Sequence, residues 1–377
     1  AAAARAGARL TAYDGIVDIG PLRAEVDPLA GRTAVMSATR LEQLAKCPFA
    51  YFLRHVLGVR PPEEAVFDRS RWLDPLQRGS LIHGILCDFM TEVAKTGEEV
   101  ETARHAPLMD RIAARRIVAE RRRIPPPSGE IFEAERKDIE RTLRIFLTSE
   151  EKREPRGRPL AFEKQIEVEE IAIGPGRSFL FQGFIDRVDR LGEDAYRIID
   201  YKTGSPGPYE DVVDFGRGRA LQPALYAVAL EQILARERPG RAARVVESGY
   251  LFPSLRGEGH EIMVRNFDRA RLRLLLRDLL TLLEKGYFIA GPETKCGSCD
   301  YHRVCISGGQ EGTKRKNKRL CHLLDLITGG CPADEIKAGA AAAGISLSGD
   351  GGLEGLRERI EADIAIFEAY QKLDEYK

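Results

Sequence analysis

The stretch "RIIDYKTG", residues 197–204, sets an aspartate and a lysine two positions apart in what otherwise reads as an apolar strand. Strand side chains alternate, so Asp200 and Lys202 share one face while Tyr201 points to the other. Opposite charges on a strand bound for the interior are costly to desolvate unless they are paired or used. One reading is a structural ion pair, Asp200 with a nearby arginine and Lys202 with a nearby glutamate. The other needs more acids, and "GFIDRVDR", residues 183–190, supplies Asp186 on the preceding strand-like segment. A divalent cation between the two aspartates explains both, because hard oxygen ligands suit Mg²⁺ or Mn²⁺. Lys202 beside it would orient a water or balance charge on a phosphorane-like transition state. Asp189 is a rival to Asp186, but three residues along a strand it faces the opposite way.

Working outward, "LAFEKQIEVEEIAI" (160–173), "SFLFQGFIDRVDRL" (178–191) and "AYRIIDYKTG" (195–204) predict an antiparallel meander, separated by "GPGR" and "GED" turns. Before it the pattern is helical. "SATRLEQLAKCPFAYFLRHVLGV" (37–59) reads as one helix with a Thr39/Glu42 capping box and a stop at Gly58. "DPLQRGSLIHGILCDFMTEVAKTG" (74–97) is a second helix, and helical patterns run to about residue 150, broken at "IPPPSG". After the meander come a helix (218–238), a strand (244–252) and a helix (266–286), then a cysteine-rich loop at 292–306. The expected class is a mixed α/β domain with an appended tail.

Composition adds few constraints. The 377 residues include 58 Lys+Arg and 58 Asp+Glu, so any nucleic-acid surface is local rather than global. No apolar run reaches membrane-spanning length, which predicts no membrane partner. The opening "AAAARAGARL" lacks a methionine and reads as part of a longer polypeptide. Seven cysteines suggest a cytoplasmic protein with some of them on a metal rather than in disulfides.

At this point the motifs resemble the RecB-like branch of the PD-(D/E)XK nucleases. "GFIDRVD" and "IIDYKTG" are similar to that family's second and third motifs, and the remaining elements follow in order. "RGSLIHGIL" supplies His83, which the resemblance makes a metal ligand, and "LAFEKQIEV" supplies Glu163. "QPALYAVAL" supplies Gln222 and Tyr226, one helical turn apart, as a Q-x3-Y element that positions DNA. The implied site is His83, Asp186 and Asp200 on the metal, with Lys202, Glu163, Gln222 and Tyr226 serving catalysis. The implied fold is a restriction-endonuclease-like mixed sheet flanked by helices.

"CGSCDYHRVC" brings Cys296, Cys299 and Cys305 within reach of one centre. Zinc or a [4Fe–4S] cluster needs a fourth donor, and Cys321 and Cys47 are both available. The stretch around Cys47 is similar to the opening of AddB nuclease domains, and this resemblance implies Cys47 and an iron–sulfur clasp. Cys87, Cys321 and Cys331 are then packing residues.

The resulting division is a linker or the end of a preceding domain at 1–36, the nuclease domain with its clasp at 37–308, and a basic linker with a helical extension at 309–377. The run "TKRKNKR" reads as a solvated loop or a phosphate contact. "ADEIKAGAAAAGISLSGDGGLEGLRERIE" has the element order of a SAP-type DNA-binding hairpin, though a helical pair packed on the core is preferred. The resemblance implies a Mg²⁺-dependent DNA exonuclease domain of an AddB-like helicase–nuclease subunit acting in double-strand break repair and recombination. It would cut single-stranded DNA beside an AddA-like helicase–nuclease partner. The alternatives are a stand-alone RecB-like exonuclease of the CRISPR-associated type and a DNA-binding scaffold with a vestigial site. No G-x-x-x-x-G-K-[ST] loop occurs, so no ATPase is expected in this chain.

Overall fold

A computed structural model describes residues 7–31, 33–61, 68–291, 296, 299–305, 309–345 and 352–373. The Gly-rich turn at 346–351 and part of the cysteine loop, 292–295, 297–298 and 306–308, lie outside the described residues.

The expected meander forms. Strands β2 (Arg158–Gly174), β3 (Arg177–Arg190) and β4 (Ala195–Tyr201) pair antiparallel in succession. β5 (Arg244–Phe252) joins β4 in parallel, and β6 (His260–Arg265) closes that side antiparallel. A two-residue strand, β1 (Val35–Met36), pairs in parallel with β3 at Leu180 and Phe181. β1 and β6 escape sequence reading because one is too short to show a period and the other, "HEIMVR", alternates weakly.

Side-chain alternation on β4 assigns the two cores. Ile199 and Tyr201 meet α2 (Pro75–Thr96), α3 (Thr102–Arg123) and α4 (Gly129–Lys152), with Ile82, Phe89, Met109 and Phe146 between them. Tyr196 and Ile198 face the opposite core, built from α5 (Gln222–Glu237) and α6 (Arg269–Glu284). Buried leucines of α6 such as Leu275 and Leu279 each contribute about 2 kcal/mol there by leaving water.

The first helix departs from expectation. It splits into α1 (Ala38–Lys46) and a short turn, Pro48–Tyr51, that runs on into a wider π-helical turn, Phe52–Val56. Cys47 between them is extended, at φ −162° and ψ 104°, because Pro48 disfavours helical geometry in the residue before it. Nor is there a Thr39/Glu42 capping box. Ser37 caps α1 by accepting from the Arg40 N–H, which frees Glu42 for a distant partner.

The described residues on both flanks of the sheet join the domain. Phe288 N–H donates to Gly15 O at 2.7 Å, and Val17 N–H to Gly286 O at 2.9 Å. Gly15 has φ +97° and would set a Cβ 2.0 Å from Phe288 O, so only glycine serves. The basic run is not a linker but part of helix α7 (Gly309–Thr328), because Leu320 and Leu323 give it a buried stripe. Within it Lys316 forms a buried ion pair with Asp14 at 2.9 Å. Helices α8 (Ala333–Ala342) and α9 (Gly352–Gln371) follow, and Tyr370 O–H donates to Ala45 O at 2.9 Å. Of the helical pair, α9 is thus tied to α1 of the core.

Candidate active site and cysteine cavity

β3 changes partner partway along. Its pairing with β4 ends at Arg187↔Ile199, and its pairing with β1 begins at Phe181. Asp186 and Asp200 stand one register step past the last paired residues, where the strands part. The Tyr201 N–H donates to the Asp186 Oδ2 at 2.8 Å. The site therefore occupies a notch in the sheet.

α2 supplies His83, whose Nδ1 lies 3.3 Å from Asp186 Oδ2. On β2, Glu163 falls between Phe162↔Arg187 and Lys164↔Ile185, hence opposite Asp186. Donor atoms of His83, Glu163 and Asp186 all lie within 4.8 Å of one another. Glu163 has φ +45°, a left-handed conformation costing a non-glycine residue on the order of 1–3 kcal/mol. Opposed residues of paired strands share a face, which puts the Glu163 carboxylate on the side of Asp186.

On the other side of the notch, Asp200 Oδ2 is 2.7 Å from Lys202 Nζ. Gln222, at the start of α5, links the pair: its Nε2 donates to Asp200 Oδ1 at 2.7 Å and its Oε1 accepts from Lys202 Nζ at 3.1 Å. Gln222 Nε2 also lies 3.3 Å from the Tyr226 hydroxyl. The Tyr226 ring fits because residue 183 is glycine; a Cβ there would stand 2.7 Å from Tyr226 Cε1. Asp189, the rival acid, accepts both Nε and Nη2 of Arg187, at 2.6 and 2.9 Å, and is spent structurally.

The electrostatics show a surplus of acid. Burial lifts the Asp200 carboxyl to about 6; Lys202 opposes the rise and Asp186 adds to it. Asp200 Oδ2 is buried with no partner in hydrogen-bonding geometry, despite its closeness to the lysine. Burial and the Asp186 charge also raise Glu163. Burial alone would lower His83, but the hydrogen bond and charge of Asp186 outweigh it and raise the imidazole. Lys202 is likewise lowered by burial and raised more by Asp200, so it stays cationic.

Two contributors escaped sequence reading. Glu42 on α1 accepts from the Leu221 and Gln222 N–H groups at 2.8 and 3.0 Å, fixing the start of α5. Its local signal pointed to a capping box instead. Arg116 on α3 lines the same cleft of about 590 Å³ as His83, Glu163 and Lys202. It is one of many arginines on that helix, and nothing in its spacing distinguishes it.

A second cavity, of about 210 Å³, is lined by Cys47, Cys296, Cys299 and Cys305, with Phe49, Ala50 and Tyr301 among its walls. Cys47 Sγ accepts from the Gly291 N–H at 3.4 Å. Burial pushes the Cys47 thiol up, with backbone N–H groups of Gly291, Ala50 and Phe49 opposing. Four sulfur donors around one largely apolar cavity fit a four-thiolate centre. Cys321 lies on α7 against Asn317 and does not line this cavity; His302 does line it, but is exposed and has its Nδ1 2.9 Å from Cys299 O.

A model of the PD-(D/E)XK nuclease superfamily matches residues 35–306. The chain is 30% identical over 234 residues to the B-type subunit of the ATP-dependent helicase/deoxyribonuclease from Moorella thermoacetica, covering 56% of this chain and 20% of that protein. Its counterpart in Clostridium novyi is 25% identical over 241 residues, covering 60% and 20%. The Acetivibrio thermocellus protein of the same kind is 27% identical over 299 residues, covering 71% and 24%. The chain spans about a fifth to a quarter of the length of these relatives. Among the described residues no helix is long and apolar enough to cross a membrane.

Proposed function

The chain belongs to the PD-(D/E)XK nuclease superfamily, and from that premise we propose that its cleft is the active site of a Mg²⁺-dependent deoxyribonuclease. The observation that carries this is the notch, where the Glu163 and Asp186 carboxylates meet His83 and Asp200 stands paired with Lys202. His83, Glu163 and Asp186 would hold the cation, with Asp200, whose Oδ2 faces Lys202, as the carboxylate beside them. When bound, the cation supplies polarisation of a phosphoryl oxygen and neutralisation of its charge.

The chain's own groups do the rest. Lys202 is held by Asp200 and Gln222, so its ammonium is preorganised where charge grows on the phosphoryl group. Gln222 fixes both members of the pair, and Glu42 fixes Gln222. Tyr226 packs over Gly183 and presents its hydroxyl beside Gln222, suited to steering the DNA strand. The relatives are named as one subunit of an ATP-dependent helicase/deoxyribonuclease. By extension, this chain acts in the cytoplasm in double-strand break repair, as an exonuclease on single-stranded DNA delivered by an AddA-like partner.

The four-cysteine cavity is read as the seat of a [4Fe–4S] cluster that clasps the Cys47 turn to the last loop of the domain. Its role there is structural, and the four cysteines lining one cavity support it. Anaerobic purification with iron and sulfide assays tests this. Cys47→Ala should lose the cluster and Cys321→Ala should keep it; zinc retained by Cys47→Ala would refute it. For the active site, Asp186→Ala and Lys202→Ala should each abolish Mg²⁺-dependent cleavage of single-stranded DNA, and only Asp186→Ala should weaken metal binding. Cleavage at the wild-type rate by both would place the chemistry elsewhere.

A further inference from the structure

We infer that Arg116 is a phosphate-binding residue for the DNA strand, gripping a phosphate beside the scissile one. The inference rests on the nuclease reading above and adds a binding subsite to it. Arg116 reaches the cleft from α3, whereas the proposed ligands come from α2 and the sheet. Its guanidinium lies against the backbone of α2, with Nη1 3.5 Å from where a Cβ on Gly84 would stand. The fork is fixed by Asp88, whose carboxylate accepts Nε and Nη2 at 2.7 Å each. Asp88 also accepts from Arg115 Nη2 at 3.0 Å. One carboxylate shared by two guanidinium groups leaves a net positive charge at the rim of the cleft.

The position suits a neighbouring phosphate. The guanidinium spans the turn of α2 from Gly84 to Asp88, the turn that follows His83, about 6 Å along the helix axis. An arginine already held by a bidentate carboxylate loses little side-chain freedom on meeting a second anion. Arg116 remains 44% exposed, so a strand can reach it, and Arg115, at 71%, does not line the cleft.

The test is fluorescence anisotropy of a labelled oligothymidylate with Ca²⁺ in place of Mg²⁺, across a salt series, with Mg²⁺ cleavage measured on the same preparations. Arg116→Gln should bind about tenfold more weakly at low salt. Its log–log salt slope should be shallower by about 0.7, as for one lost contact to a single strand. Arg116→Lys should restore the slope. Arg357→Gln on α9, an equal change of charge away from the cleft, should match the wild type. An Arg116→Gln slope equal to wild type, or an equal loss in Arg357→Gln, overturns the subsite. Wild-type protein that binds but does not cut would overturn the nuclease reading and leave Arg116 standing.

Discussion

Two clusters of buried charge sit on one sheet, and they are built to opposite rules. In the first, Arg187 joins Asp189 and Glu150, and Arg153 joins Glu150 and Glu261, each ion pair between 2.6 and 2.8 Å. The two arginines hold Glu150 down at about 2 even though burial works against them. In the second, the buried Asp186 and Asp200 and the exposed Glu163 have, among the described residues, Lys202 and the His83 imidazole as cationic neighbours, and burial lifts Asp200 to about 6. A saturated cluster holds strands and helices together. An acid-rich one keeps capacity for a cation, and the two fates diverge only three residues apart, between Asp186 and Asp189.

Neutralising the acid-rich cluster should have the largest effect. Asp200→Asn should cut Mg²⁺-dependent cleavage at least about a thousandfold while making the metal-free protein harder to melt. A lower melting temperature in EDTA would mean that Asp200 is stabilising after all, and the contrast would collapse. The converse change is Arg187→Ala, which strands Asp189 and leaves Glu150 with Arg153 alone of its two arginines. It should cost about 3–5 kcal/mol in denaturant titration, with cleavage per folded molecule unchanged.

The pH dependence of the metal-free protein should differ in sign between the clusters. Glu150 has a folded value near 2 against an ordinary 4.5, so its stabilisation is complete above about 4.5. That stabilisation, up to about 3 kcal/mol, is lost as pH falls toward 2. Asp200 runs the other way, from an ordinary 3.8 up to about 6. The folded state binds the extra proton between those values, so stability drops by up to about 3 kcal/mol as pH rises from 4 to 6. Urea melts of Glu150→Gln and Asp200→Asn at stepped pH should each erase their own limb. The smallest expected effect is Gly183→Ala, whose Cβ would press on the Tyr226 ring at 2.7 Å. It should cost about 1–3 kcal/mol and slow cleavage through Tyr226; an unchanged rate would remove that ring from DNA positioning.

Sequence reading found what local periodicity encodes. Asp200 and Lys202 share a face because strands alternate, and Gln222 and Tyr226 share one because they are a helical turn apart. His83 and Asp186 were placed by motif order, and the fold brings them within 3.3 Å. Contacts that contradict a local signal were missed. Glu42 fits a capping box by spacing, yet its partner is about 180 residues away. "TKRKNKR" is a charge run by composition, but Thr313 and Lys316 within it are buried on the same stripe as Leu320 and Leu323, which lie just past its end. Cys47 shows both sides, because Pro48 announces the break in the helix while only the fold reveals the cavity.

The Tyr201 amide, which bonds a carboxylate where a strand residue ordinarily bonds a carbonyl, gives the site its own spectroscopic probe. An amide proton donated to a charged oxygen resonates downfield of its neighbours and moves when that charge is shared. A single cross-peak from ¹⁵N-labelled tyrosine would therefore report Asp186 directly. Titrating acid or magnesium against that one signal would read the occupancy of the notch without DNA, turnover or mutation.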